Sequence, residues 1–184
     1  MFTYPYQILE KLLTTAVPEL REIDWYLQQD STTDKSVMLF ASPGAYVEFS
    51  IVEGPRDHPF YIQSAIVDIS IHLLTENALD RGSKIMQKTG TSHAVLFDKI
   101  YKTLQGFGAK LSYITAFAAL ANTVNDRTVI NSLSRIGIIN PHSIRKTMVK
   151  SVQRFRCVVY DHAATRTYTV PDPLPDLNIV PTML

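Results

Sequence analysis

The sequence predicts an α+β domain in which an antiparallel or mixed β-sheet is flanked by two main α-helices. The prediction rests first on strict alternation of apolar and polar residues over Val47–Ile51 and Ala65–Leu73. This period-two pattern is typical of antiparallel strands with one buried face and one wet face. It rests also on two segments, one before and one after these strands, in which apolar residues recur at helical spacing.

The bulk composition indicates one ordinary globular domain. The chain has 184 residues, of which 46% are hydrophobic and 19% charged, enough to bury a substantial core. A net charge of +1 gives no general attraction for a polyanion. The single cysteine, Cys157, excludes an internal disulfide and fits a reducing compartment. We expect no signal peptide and no membrane span, and therefore a soluble protein used without export.

In the first part of the chain, Pro5 suits the first turn of a helix, and Pro18 ends the helix. Its apolar face is Ile8, Leu9, Leu12, Leu13 and Ala16. The strands predicted after it, from their strand-forming residues and alternation, are Ile23–Gln28, Val37–Phe40, Ala45–Val52 and Gln63–Leu73. Glycine and two prolines favour an irregular loop over Glu53–Pro59.

Beyond a polar loop over Thr75–Ser92, Ser92 is the predicted cap of a second main helix that ends at Gly106. Leu111–Val124, in an apolar insertion over residues 108–126, is a weaker helix prediction. It has no charge before Asp126, so we expect it to be buried or packed against another subunit. Two strands follow, a short or irregular one over Val129–Ile139 that Asn140-Pro141 stops and a strong one over Val149–Tyr160.

The end of the chain differs in kind, so we divide the chain into a domain over residues 1–168 and an arm over residues 169–184. Proline recurs through Val170–Asp176, which excludes helix or central strand there. We expect an extended C-terminal arm that is disordered or ordered against a neighbour. Its apolar anchors include Leu174, Leu177, Ile179 and Met183.

No motif in the chain predicts catalysis, a cofactor or a metal. None of the five histidines has another ligand at metal-binding spacing. No Gly-x-Ser-x-Gly turn is present to present a nucleophile. Cys157 alternates with Phe155 and Val159, as a small buried residue does. We therefore expect a protein that is not an enzyme and that has no catalytic, cofactor-binding or metal-binding residues.

A basic cluster near the last strand is the one local excess of charge. It could face nucleic acid, meet an acidic patch on a partner protein, or be the solvated start of a strand. Its members are Arg145, Lys146, Lys150, Arg154 and Arg156.

The order of these elements resembles the tail terminator and tail-completion (neck) proteins of long-tailed bacteriophages, the class of the lambda minor tail protein U. Three regions carry the likeness: the proline-led strand Pro43–Phe49, the strand Val67–Leu73 with the helix after it, and Leu133–Gly137 with the closing strand Val152–Asp161. Together they span roughly residues 5–163.

The resemblance implies a structural virion protein in the tail or neck, assembled in the host bacterial cytoplasm. It implies a homohexameric ring that stops polymerisation of the tail tube and joins the tail to the head connector. The implied partners are other copies of the chain, the tail tube protein and the connector or adaptor protein, with DNA passing through the ring unbound. The alternatives are a head-completion or adaptor protein of the neck, and a small nucleic-acid-binding domain.

From the residues themselves we expect subunit contacts over Leu111–Val124 and Pro171–Leu184. The loops Thr75–Ser92 and Gly54–Pro59 are the expected contacts with the tail tube or connector. The predicted contact side chains are Leu111, Ile114, Phe117, Arg145, Lys146, Lys150, Leu174, Leu177, Ile179 and Met183.

Overall fold

The computed structural model describes residues 1–28, 41–58, 62–76, 92–145 and 148–162. They form a mixed α/β fold of two α-helices, two short 3₁₀ helices and a seven-stranded sheet. The α-helices are α1 (Thr3–Ala16) and α2 (His93–Leu104), and the 3₁₀ helices cover Leu111–Tyr113 and Thr115–Leu120. The strands are β1 (Glu22–Trp25), β2 (Gly44–His58), β3 (Ile62–Glu76), β4 (Ala109–Lys110), β5 (Thr128–Ile130), β6 (Ser134–Arg145) and β7 (Met148–Asp161).

The sheet is mixed, because β1 runs parallel to β2 while every other described pair is antiparallel. The strand order is β1-β2-β3-β7-β5-β4, and β6 pairs with β7 as well. Its centre is the β3–β7 ladder, which runs from Gln63↔Asp161 to Glu76↔Met148 without a register shift. The side of β7 away from β3 pairs with two strands: β6 pairs with its residues up to Arg156, and β5 pairs with it at Val159.

The main core lies between one face of the sheet and the two α-helices. Alternate residues of β3 from Ala65 to Leu73 point into this core and are almost fully buried. The helices supply Ile8, Leu9 and Leu13 from α1, and Leu96, Ile100 and Leu104 from α2. Each such side chain contributes about 1.5–3 kcal/mol by leaving water. The alternation in the sequence therefore predicted the buried face of β3 correctly.

Both α-helices begin and end close to the predicted residues. Pro5 lies in the first turn of α1, and Pro18 follows its end. The Ser92 side chain caps α2 by accepting a hydrogen bond from the Val95 amide at 3.4 Å. Beyond α2, Gly106 has a φ of +79°, a conformation that favours glycine and turns the chain away from the helix.

Four predictions of strand bounds are wrong. Strand β1 ends at Trp25 and not at Gln28, and the one short strand or irregular segment predicted over Val129–Ile139 is two strands, β5 and β6. The predicted loop over Glu53–Pro59 is strand as far as His58, and β6 continues through Asn140-Pro141 to Arg145. Register shifts next to these residues, between Ile51 and Arg56 and between Ile139 and His142, accommodate them as bulges. Proline is tolerated there because each strand lies at an open edge, where a missing N–H breaks no ladder. The predicted strand Val37–Phe40 and residues 77–91 of the predicted polar loop lie outside the described residues.

Candidate subunit-contact surfaces

Strand β6 has an open edge. It pairs with β7 on one side, and no described strand pairs with its other side. Three of its side chains, Ile136, Ile138 and Ile139, remain 46–48% exposed. An open edge presents unpaired N–H and C=O groups that a further strand can satisfy, and exposed aliphatic side chains add an apolar gain to that pairing. The β6 edge is therefore a surface suited to another polypeptide.

The outer edge of β2 is open over the second half of the strand. Strand β1 covers β2 only over Gly44–Val47, and the Tyr26 amide adds one hydrogen bond to the Val47 carbonyl at 2.9 Å. Beyond that point no described strand lies on this side, and Ile51 and Val52 are 47% and 45% exposed. The open parts of β2 and β6 therefore lie on opposite sides of the β3–β7 ladder.

The face of the sheet away from the helices, here called the open face, is polar over its middle, and at one end it carries the buried residues Tyr46, Leu74 and Met148. On it Asp68 of β3 and Arg156 of β7 are direct register partners. The guanidinium donates Nε–H to Oδ1 at 2.7 Å and Nη2–H to Oδ2 at 3.1 Å. These hydrogen bonds and the charge of Asp68 raise the pKa of Arg156 above its ordinary value. The pair links the two central strands on the solvent side, in the register that their buried face specifies.

Four polar side chains meet at one end of the open face: Tyr26, Glu48, His72 and Lys150, here called the Tyr26 cluster. The Tyr26 ring stacks on the His72 imidazole, with centroids 3.7 Å apart and planes 7° apart. His72 Nε2 lies 2.9 Å from Glu48 Oε2, and the Lys150 ammonium donates to the Tyr26 hydroxyl at 2.9 Å. Local pattern in the sequence does not predict this cluster, because Tyr26 and Lys150 are 124 residues apart.

The Tyr26 cluster corrects one expectation, namely that every polar residue on this face would be wet. His72 and Ser70 are buried, at 6% and 7% exposure. Tyr26 follows β1 and its ring lies over the imidazole, which removes His72 from water. The groups in this cluster bond to one another, and none is a serine or cysteine nucleophile. The cluster anchors Tyr26, and with it the chain after β1, to the sheet.

Only part of the predicted basic cluster forms an exposed positive surface, because some of its cations bond to other residues of the chain. The Arg156 guanidinium is bonded to Asp68, and the Lys150 ammonium lies 4.7 Å from the centre of the Tyr26 ring as well as bonding its hydroxyl. Arg154 is exposed on the open face. Lys146 lies outside the described residues, as does the side chain of Arg145. Two of the three cations whose side chains are described are therefore engaged within the chain.

The predicted insertion helix forms two 3₁₀ helices instead of one α-helix. Leu111 and Ile114 are buried in the chain's own core, and Phe117 is half-buried, with its ring edge-on to Tyr4 of α1 at 5.4 Å. The expected burial holds only for the start of the segment, since no residue of the second 3₁₀ helix is buried and Val124 is fully exposed. The exposed residues of the second 3₁₀ helix are Thr115, Ala116, Ala118 and Ala119, on either side of Phe117.

A serine–histidine pair lies in the core between α2, β3 and β7. His93 Nε2 is 2.8 Å from the Ser151 hydroxyl, and His93 Nδ1 is 2.8 Å from the Thr75 hydroxyl. All three side chains are buried, Ser151 completely. Hydrolysis needs a nucleophile that a substrate can reach. This hydrogen-bonded chain instead satisfies three buried polar groups where the N-terminus of α2 meets the sheet.

A groove of about 670 Å³ lies beside the turn after α2. Among the described residues its polar lining is Lys110, Ser112, Tyr113, Thr128, Asn131 and Ser132, with no histidine or carboxylate. Within the described ranges no three potential metal-ligating side chains come together. None of the helices in the described part of the chain is long and apolar enough to cross a membrane.

The predicted C-terminal contact residues Leu174, Leu177, Ile179 and Met183 lie outside the described residues.

Comparison of the chain with protein-family models and with curated proteins gives no match.

Proposed function

We propose that the chain is a structural virion protein that forms a homo-oligomeric ring, of six copies, at the head-proximal end of a bacteriophage tail. The ring ends polymerisation of the tail tube and joins the tail to the connector or adaptor protein, while DNA passes through without specific binding. The sequence likeness described above motivates this function. The structural observation that supports it best is the pair of open sheet edges, β2 and β6, with their exposed aliphatic side chains.

A closed ring needs a head-to-tail interface between two different surfaces of the subunit. The two edges meet this requirement because they are different strands on opposite sides of the sheet. The helices α1 and α2 pack on the other face, so the open face is left for the tube or connector protein. The exposed alanines of the second 3₁₀ helix and the C-terminal arm are further contacts between neighbouring subunits in this proposal.

The test is the oligomeric state of the purified full chain. Mass photometry and negative-stain microscopy over a concentration series are expected to give rings of about six subunits. A monodisperse monomer at every concentration would contradict the proposal. DNA binding that falls steeply with salt, without rings, would favour the nucleic-acid-binding alternative instead.

A head-completion or adaptor protein of the neck remains the alternative within the same class. Copy number separates the two, because the adaptor position corresponds to twelve copies and the tail terminator to six. Mass photometry resolves these assemblies directly, since one is twice the mass of the other.

The contribution of the arm is tested separately. Deleting Pro171–Leu184 is expected to weaken ring assembly. A matched variant that keeps the length of the arm but replaces Leu174, Leu177, Ile179 and Met183 by serine should weaken it equally, because the apolar anchors carry the contact. An unchanged assembly midpoint in both variants would remove the arm from the interface.

A further inference from the structure

The two open edges carry opposite formal charge. Between Ser134 and Arg145, β6 contains two arginines and no acidic residue. Between Gly44 and His58, β2 contains Glu48, Glu53 and Asp57 against the single cation Arg56. The strands therefore carry formal charges of +2 and −2 with histidine neutral. Part of this charge is engaged within the subunit, since Glu48 bonds His72, Glu53 bonds Arg56 and Arg135 lies over the Tyr101 ring. Complementary charge favours contact between β6 and β2 and disfavours contact of either edge with its own copy.

The strand directions are also compatible. Strand β2 is antiparallel to β3, β3 to β7, and β7 to β6, so β2 and β6 run in opposite directions within one subunit. Rotation about a ring axis leaves the direction of each strand along that axis unchanged. A β6 edge that meets the β2 edge of the next copy therefore does so in antiparallel orientation, whose hydrogen bonds are slightly stronger than those of a parallel pair. Across the sheet β6 is level with Gly44–Ser50 of β2, so contact with the open half of β2 requires strands inclined to the ring axis, as in a barrel.

We propose that the open edge of β6 pairs with the open second half of β2 from a neighbouring copy, continuing the sheet from one subunit to the next. This contact is here called the β6–β2 seam. It rests on the proposed function and deepens it by naming the surface that closes the ring. The seam covers exposed isoleucines on both strands and replaces the water on two rows of backbone groups by hydrogen bonds.

The bulges limit the length of the seam. Pro55 of β2 and Pro141 of β6 each lack an N–H, and each lies beside a register shift. Regular pairing is therefore expected on one side of each proline, where the exposed Ile51 of β2 and Ile138 of β6 lie. Ile51 and Ile138 are suited to substitution because about half of each side chain is exposed to water, so each contributes little to the hydrophobic core.

The test uses two single-cysteine additions, Ile51→Cys and Ile138→Cys, made in separate full-length chains and then co-expressed. A short bismaleimide cross-linker is applied at a concentration at which mass photometry shows that the unmodified protein is assembled. The native Cys157 is buried, and the unmodified protein measures its background. We expect a cross-linked dimer in the co-expressed mixture and no dimer above background in either variant alone. A chain carrying both cysteines should give a ladder of higher oligomers.

The outcomes separate the seam from the function. If the protein assembles but the mixture gives no more dimer than the single variants, the seam is wrong and the ring proposal stands. Dimers of the Ile138→Cys variant alone would mean that two β6 edges pair, and dimers of the Ile51→Cys variant alone that two β2 edges pair. Either result overturns the seam. An unmodified protein that stays monomeric at every concentration overturns both proposals.

Discussion

Replacing Ile138 by threonine tests whether the β6 edge is an assembly surface. Ile138 is 48% exposed. About half of the roughly 1.5–3 kcal/mol gained by burying an isoleucine fully, or about 1 kcal/mol, therefore remains available to a contact. Threonine keeps the β-branched shape that suits a strand but replaces the ethyl group of isoleucine by a hydroxyl, so it forfeits this gain. The fold itself should lose less than about 1 kcal/mol, because the side chain is already half in water.

The effect on assembly is larger because a ring repeats each contact. In a ring of six, the loss of contact free energy occurs at all six seams. The ring forms in five association steps, so the free energy lost at six seams is divided over five steps. A loss of about 1 kcal/mol per seam therefore raises the midpoint concentration of assembly about eight-fold. Mass photometry of a dilution series measures this midpoint. The matched control Ile138→Val keeps an apolar β-branched side chain and should raise the midpoint only about two-fold.

Two results would refute this reasoning. An assembly midpoint for Ile138→Thr equal to that of the unmodified protein would mean that the side chain stays in water in the oligomer. Equal shifts for the threonine and valine variants would mean that the effect does not come from apolar burial. Urea unfolding of both variants at a concentration where they are monomeric checks that their folds are equally stable.

Three further predictions concern the stability of the domain. Ser92→Ala removes the acceptor for the Val95 amide and should lower the free energy of unfolding by about 0.5–1 kcal/mol in urea titrations; Ser92→Thr, which can still cap, should lower it less, and equal losses would mean that the cap contributes nothing. Ser151→Ala leaves a buried nitrogen of His93 without its hydroxyl partner and should cost about 1–3 kcal/mol, whereas Ser132→Ala, at an exposed position, should cost almost nothing; similar values for the two would contradict this role. Burial raises the pKa of the Cys157 thiol from about 9 to about 12, so the folded state holds it neutral while the unfolded state ionises. The free energy of unfolding should therefore be highest below pH 9 and fall between pH 9 and 12, by at most about 1.4 kcal/mol per pH unit from this group. Urea titrations of Cys157→Ser, which does not titrate, should show a smaller fall, and an equal fall would exclude the thiol as a cause.

The regular parts of the fold were predictable from local pattern. Alternation located β3 and β7 and their buried faces, and apolar spacing with a serine cap located α2. The strand boundaries at Gly54-Pro55 and Asn140-Pro141 were wrong for one physical reason. Glycine and proline interrupt a central strand, but at an open edge a bulge accommodates them, and local sequence does not say which strand is at an edge.

The candidate contact surfaces were less predictable. The sequence shows Ile136, Ile138 and Ile139 close together, but their exposure follows from β6 lying outside β7, which is a property of topology. The apolar character of Leu111–Val124 predicts packing, which holds for Leu111 and Ile114 in the chain's own core. No residue of the second 3₁₀ helix is buried, and Val124 is fully exposed. An apolar segment without charge does not indicate by itself whether its partner is the same chain or another.

The uninterrupted β3–β7 ladder has a consequence for how the protein folds. Its register partners are 72 to 98 residues apart in the chain, so the central pairing cannot begin before Met148 has been synthesised. Contacts between such distant residues carry a large loop-closure cost and are associated with slow folding. Until β7 has been synthesised, β3 has only β2 beside it, and its other edge is open. Folding of each subunit is therefore tied to completion of the last strand, and assembly at the β6 edge can start only after that step.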